Sequence, residues 1–180
     1  MAASIALPAS LDDVLKAREQ RAVRQQAALA TFGKAVLSLT LVSTGPIKDS
    51  PQLRFVFAEA VAAIDTLLAA RQWKALAREY VTQASGPEAI VVVDCPAQSL
   101  KWAFAELEDR HPLGRLWDMD VLCPETRRGI SRQNLLLAPR KCLVCGEAAH
   151  ACARSRAHSL KDLSWVIEEQ IDAYRRNLVS

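Results

Sequence analysis

The chain has 180 residues, of which 51% are hydrophobic and 24% charged, with a formal charge of +3 and a pI near 8.7. Such a chain can bury a core of single-domain size, is too weakly basic for a general nucleic-acid binder, and suits a protein that handles a polyanionic small molecule. No apolar run approaches the ~20 residues needed to cross a bilayer. Met1 to Ser10 carries no basic n-region, and an odd number of cysteines, five, without an export signal predicts a reducing cytoplasm.

The first helix is predicted from Ser10 to about Phe32, opened by a Ser10/Asp13 capping pattern, with Leu11, Val14, Leu15, Ala22 and Leu29 at near-helical spacing. Its other face carries Lys16, Arg18, Arg21 and Arg24, read as solvated, with docking to an acidic partner as the alternative. Residues 35–42 read as a buried strand. Gly45-Pro46 then forces a loop, and Ser50-Pro51 opens a helix to about Gln72, with Leu53, Phe57, Val61, Ile64 and Leu68 inward. Strand, loop and helix start in that order can hold phosphate, which makes Lys48 and Arg54 candidates beside the plainer reading of an ordinary connection. Residues 73–81 fit a helix end or a strand. Ser85-Gly86-Pro87-Glu88 is a turn, residues 89–94 form a strand, and Pro96 opens a helix to about Arg110 that ends in the acids Glu106, Glu108 and Asp109.

The stretch Gly114-Arg115-Leu116-Trp117-Asp118-Met119-Asp120-Val121 carries the most chemistry. On a strand, side chains alternate between faces, so Asp118 and Asp120 point to one side while Trp117 and Met119 point to the core. Two carboxylates that close repel unless a cation lies between them. Mg2+ accepts one or two carboxylates and fills its other positions with water and substrate phosphates. The pair therefore reads as a D-x-D metal site for phosphate chemistry; a solvated strand face is the alternative. Gly114 permits close backbone approach and Arg115 offers a bidentate phosphate ligand. Residues 130–137 are expected to form a hairpin strand with 116–123, placing Arg132 on the partner strand, with Arg140 following as a second phosphate candidate.

Cys142, Cys145, Cys152 and His158 make a C-x2-C-x6-C-x5-H series. Four such ligands suit a tetrahedral structural Zn2+ site. A reduced, inert thiol cluster is the alternative, and His150 is a competing ligand. Ser159 caps a last helix to about Leu178, with Leu163, Val166, Ile167, Ile171, Tyr174 and Leu178 inward. No Ser-His-Asp arrangement is evident among only three histidines, and Cys123 lacks a sequence-evident base and is not proposed as a nucleophile. The elements together predict one domain over 1–180 with a Cys/His segment at about 139–160. Its class is α/β (α+β): a mixed, partly antiparallel sheet with flanking helices.

Gly45-Pro46-Ile47-Lys48-Asp49-Ser50, Ser85-Gly86-Pro87-Glu88, His111 to Val121, and Pro139 to Cys145 with Cys152-Ala153-Arg154 resemble the citrate lyase holo-acyl-carrier-protein synthase family (CitX). The likeness runs from about Leu11 to the C-terminus, and the block at 111–121 is its most specific part. It implies a transferase that moves 5''-phosphoribosyl-3'-dephospho-CoA from 2'-(5''-triphosphoribosyl)-3'-dephospho-CoA to a serine of the apo acyl carrier (gamma) subunit of citrate lyase. Diphosphate leaves. By analogy it also implies a nucleotidyltransferase-like core, with Asp118 and Asp120 as its Mg2+ ligands and Arg115, Lys48, Arg132 and Arg140 as phosphate clamps. Two other readings stay open: the same transfer to another carrier, such as that of malonate decarboxylase, and a non-catalytic zinc-bearing adaptor.

Overall fold

The structure, a computed structural model, describes residues 8–178. The N-terminal stretch read above for a leader lies, up to residue 7, outside them. Among the described residues no helix is long and apolar enough to cross a membrane.

Helix α1 (Leu11–Phe32) starts at Ser10, whose hydroxyl accepts from the Asp13 amide while Asp13 accepts from the Ser10 amide, so the expected capping box is present. Strand β1 (Ala35–Leu41) is followed by α2 (Pro51–Ala70), where Ser50 accepts from the Leu53 amide at 3.2 Å and proline takes the first turn. The segment left between helix and strand is β2 (Lys74–Gln83), paired with β3 (Gly86–Asp94) across a tight turn. Helix α3 (Ala97–Arg110), a 3-10 turn at Gly114–Leu116 and β4 (Trp117–Leu122) follow. The chain ends in a short α4 (Ala149–Ser155) and in α5 (Leu160–Leu178).

The four strands lie in the order β2-β3-β1-β4, and every neighbouring pair is antiparallel. β1 and β2 run parallel with β3 between them, and β3 and β4 run parallel with β1 between them. Two interlocked split β-α-β units result, the ferredoxin-like arrangement, with α1 added before it and α4 and α5 after it. The α/β class with flanking helices holds, and the sheet is antiparallel throughout rather than in part.

One sheet face carries the main core. Leu37, Leu39, Val91, Trp117, Met119 and Val121 pack there against Val56, Ala60 and Ile64 of α2, Leu100 and Phe104 of α3, and Ile167 and Ile171 of α5. The buried Trp117 also donates its indole N–H to the Val56 carbonyl at 3.2 Å. The opposite face is apolar over only part of its length, where Val36, Ile90, Val92 and Leu122 meet Leu29 of α1.

Three expectations are corrected here. Residues 130–137 do not form a strand. Ser131 and Asn134 close a turn through the Asn134 side chain, Gln133–Leu135 is a 3-10 turn, and Leu136 takes a left-handed φ of 56° and is 96% exposed. A strand has little to pair with there, because side chains occupy most of the free edge of β4, as described below. Arg132 accordingly lies on a loop.

The inner face of α1 is the predicted one only in part: Leu29 is buried as expected and Ala17 with it, while Leu11 and Leu15 are 72% and 47% exposed. The sheet beneath α1 is polar at one end, and the helix turns polar side chains toward it. Arg21 reaches the buried Glu88 at 2.8 Å, Arg24 pairs with the same carboxylate, and Gln25 donates to Ser38 at 2.9 Å. The face read as solvated is therefore partly an ion-paired interface.

Candidate active site and Cys/His cluster

Asp118 and Asp120 share the face of β4 that lies on the α1 side of the sheet, opposite Thr40 and Ser38 of β1 in register. They sit beyond the apolar patch that α1 covers, so they border open clefts. A cleft of about 350 Å³ is lined by Arg18, Arg21, Lys48, Gly86, Glu88 and Asp118. A second, of about 340 Å³, is lined by Lys101, Glu108, Asp118, Asp120, Arg132, Arg140 and His150. A third, of about 580 Å³, holds Arg115 and Arg140 together with Cys142, Cys152 and His158. Asp118 joins the first two and Arg140 joins the last two.

α3 holds this strand in place. Met119, between the two acids, donates its amide to the buried Glu108 carboxylate at 2.9 Å and accepts from the buried Lys101 ammonium at 2.7 Å. Arg140 donates to the Trp117 carbonyl and to Asp118 Oδ1, the latter at 3.0 Å, and Ile130 donates to the Val121 carbonyl at 2.8 Å. The edge of β4 is thus satisfied by side chains and a loop. Glu108 in turn accepts from Arg132 at 2.9 Å, and Arg132 also pairs with Asp109 at 2.8 Å.

The electrostatics follow from this packing. The Asp120 carboxyl is pushed above the ordinary carboxylate value, first by the protein packed around it and then by Asp118, with Lys101 opposing. Burial pushes the Lys48 ammonium below its ordinary value; it donates to the Ser43 carbonyl at 2.8 Å. Arg115 is likewise lowered, by burial first and by Arg140 next.

Of the sequence-predicted residues, Lys48, Asp118, Asp120, Arg140, Arg132 and Arg115 line this connected set of clefts. Gly114 does not: it is buried, and a Cβ there would run into the Glu108 carbonyl oxygen, so its lack of a side chain serves the packing of the 3-10 turn on α3. Arg54 is held away by Asp49, with contacts of 2.7 and 2.6 Å. Gly86, at φ +105°, brings its turn against the Lys48 backbone, where a Cβ would lie 2.8 Å from the Lys48 carbonyl oxygen. Two motifs almost 40 residues apart thereby meet at one cleft. Lys101 is the residue the sequence analysis missed. Its signal was a lysine in the Ala97, Lys101, Phe104, Glu108 row of α3, a spacing that puts it on the helix's buried side.

The Cys/His series closes into a cluster. Cys142 and Cys145 lie in a small hairpin in which the Cys142 amide donates to Glu147 at 2.7 Å and the Ala149 amide to Arg140 at 2.8 Å; Cys152 comes from α4 and His158 from the link to α5. Cys145 Sγ is 3.5 Å from Cys152 Sγ and 3.3 Å from His158 Nε2, and all four donor atoms lie within 4.8 Å of one another. Burial disfavours the Cys142 thiolate, but the Cys145 and Val144 amides and the neighbouring thiols outweigh it and hold that thiol below the ordinary value. Cys152 is pushed up to about 12, first by its contact with Cys145. Three thiols and an imidazole at this spacing can hold a metal ion. His150, the competing ligand, lines the Asp118/Asp120 cleft instead.

Comparison with known proteins decides the family. The family model of CitX, apo-citrate lyase phosphoribosyl-dephospho-CoA transferase, matches residues 9–174. The chain belongs to the CitX family. It is 43% identical over 154 residues to the apo-citrate lyase phosphoribosyl-dephospho-CoA transferase of Escherichia coli O7:K1, covering 86% of this chain and 84% of that one. It is 42% identical, over the same shares, to the protein of that name from Shigella boydii serotype 18. The CitX match spans the α1 cap, the ferredoxin-like core, the cluster and most of α5.

Proposed function

We propose that this chain moves the 5''-phosphoribosyl-3'-dephospho-CoA unit from 2'-(5''-triphosphoribosyl)-3'-dephospho-CoA to a serine of the apo acyl carrier subunit of citrate lyase. The serine oxygen forms a bond to the α-phosphorus, the anhydride bond to the β-phosphate breaks, and diphosphate leaves. The observation that carries this reading, beside family membership, is the polar end of the α1-facing sheet surface: two carboxylates one residue apart, with Arg140 and Lys48 lining the clefts they border and Arg115 in the adjoining cleft.

The donor set at Asp118 and Asp120 fits Mg2+, because two acids on one strand face, one of them already resisting ionisation, gain from a hard cation. Such an ion would neutralise charge on the phosphates. The chain's own residues do the rest. Arg140 orients Asp118, and Arg115 and Lys48 supply positive charge without forming an ion pair among the described residues, though Glu108 and Asp109 act on Arg115 from a distance. Arg132, tied to Glu108 and Asp109, is a supporting residue more than a clamp. A carboxylate of this pair suits the role of acceptor for the serine proton.

The Cys142, Cys145, Cys152 and His158 donors fit a structural Zn2+, with the close S–S and N–S approaches of a tetrahedral site. The reading takes the chain as one transferase domain with a Cys/His segment at 139–160, working in the cytoplasm, where its five free thiols stay reduced.

The test is a transfer assay with apo carrier, the triphosphoribosyl donor and Mg2+, read by intact mass of the carrier. A mass gain equal to the phosphoribosyl-dephospho-CoA unit is expected, reduced by about 10²-fold or more in Asp118→Asn. Near-normal rates in that variant would remove Asp118 from the chemistry. A gain on the malonate decarboxylase carrier alone would change the acceptor. No gain on any carrier would leave the adaptor reading.

A further inference from the structure

The cleft of about 580 Å³ is separate from the acid pair, joined to it through Arg140. Its walls come from the end of β1, the cluster hairpin, α4 and the start of α5. Val42, Leu143, Ala149, Ala153, Leu160 and Leu163 make them mostly apolar. At about 580 Å³ it has the size of a small-molecule site.

Three guanidiniums, Arg115, Arg140 and Arg156, also face it. Among the described residues neither Arg115 nor Arg156 forms an ion pair. Arg115 Nη1 is a buried nitrogen without a hydrogen-bond partner among those residues, whereas Arg140 is ion-paired with Asp118 and has Glu108 4.0 Å from its Nε. Arg115 donates its other terminal nitrogen to the Lys141 carbonyl, which turns the guanidinium toward the cluster hairpin. Apolar walls with uncompensated guanidiniums favour a ligand that is part anionic and part aliphatic. An all-apolar ligand would leave the arginines unpaired, and inorganic phosphate alone would leave the walls wet.

We propose that this cleft binds the dephospho-CoA limb of the donor, its diphosphate on the guanidiniums and its pantetheine arm along the apolar wall. The inference rests on the transfer reaction proposed above and assigns a place to the part of the donor that does not react. Arg140 then stands at the junction, touching Asp118 on one side and the limb on the other. The carrier is left the opposite side of Asp118, the cleft lined by Lys48 and Arg18. Because Cys142, Cys152 and His158 form part of the wall, the Cys/His cluster shapes the donor site without touching the reacting phosphorus.

The test uses Arg156→Glu, at an exposed position with φ +51°, and Ala153→Trp, which fills the cleft from α4. Steady-state transfer is measured with donor and carrier varied separately, and 3'-dephospho-CoA is titrated as a direct probe, with thermal melts as a control for folding. The expected result is a donor KM raised by at least about tenfold, with a kcat and carrier KM that change little and dephospho-CoA affinity lowered in parallel. A donor KM within about twofold of wild type in both folded variants overturns the proposal, as does a rise confined to the carrier KM. In either case wild-type transfer persists and the proposed reaction stands. Wild-type protein that transfers nothing and binds no dephospho-CoA would fail the reaction itself, and the cleft assignment with it.

Discussion

At the residue scale, Asp120 shows the conflict between function and stability. Its carboxyl holds a proton more tightly in the folded chain than the ordinary value of 3.8 allows, because surrounding protein and Asp118 disfavour its charge. A group with a raised folded value contributes stability below its unfolded value and loses it as pH rises through the folded one. Asp120 is exposed toward its cleft, so solvent screens much of this effect and the carboxylate destabilises the fold only modestly at neutral pH. Asp120→Asn is expected to raise the melting temperature in chelator-containing buffer at pH 7.5, by more than at pH 4, while lowering transfer by about 10²-fold or more. Thermal melts at the two pH values check the sign; an unchanged or lowered melting temperature at pH 7.5 would contradict it. The adjacency of Asp118 and Asp120 on one face was legible from alternation along a strand. The amount of protein around them was not, since it comes from α3 and the loop carrying Arg140.

At the scale of elements, β4 is an edge strand, paired with β1 on one side and held on its outer side by a helix instead of by another strand. Glu108 is the centre of that arrangement: it accepts from the Met119 amide and from Arg132 and is almost fully buried. Glu108→Ala leaves the Met119 N–H unpaired and Arg132 with Asp109 alone, an expected loss of about 3–5 kcal/mol, in the range for a broken buried ion pair. Glu108→Gln keeps an acceptor for Met119 and is expected to lose less. Chemical denaturation of both variants decides: equal losses would mean that the amide bond contributes little. Helix starts were readable here because caps are local, as Ser10 and Ser50 show. The supposed strand at 130–137 misled because three consecutive leucines look buried, yet their fate depends on whether the neighbouring edge is free.

At the scale of the molecule, a ferredoxin-like core carries the acids and a separate Cys/His segment carries much of the apolar cleft beside them. Arg115 and Arg140 tie the two, through the Lys141 carbonyl and Asp118. Loss of the proposed cluster metal should therefore loosen the proposed donor site while leaving the sheet intact. Stripping the metal with a chelator selective for Zn2+ over Mg2+, or Cys145→Ser, is expected to lower transfer by about tenfold or more with far-UV circular dichroism largely retained. Metal content by mass spectrometry checks the premise, and full activity in metal-free protein would uncouple the cluster from the site.

The sequence by itself determined what depends on neighbours along the chain: the helix caps, the alternation that sets Asp118 beside Asp120, the C-x2-C hairpin and the tight turn at Gly86. It also carried enough motif identity to indicate the family. Only the tertiary structure decided the antiparallel order β2-β3-β1-β4, the pairing of Arg21 and Arg24 with Glu88, and the clamping of Met119 by Lys101 and Glu108. Each of these joins residues between 11 and 67 positions apart, or strands related only through a third. Hydrophobic periodicity does not specify such contacts, because it records which side of an element is buried and not what buries it. A buried charge is stable only when its partner arrives from elsewhere in the fold, and that is why the charged residues of α1 and α3 were the ones read least well.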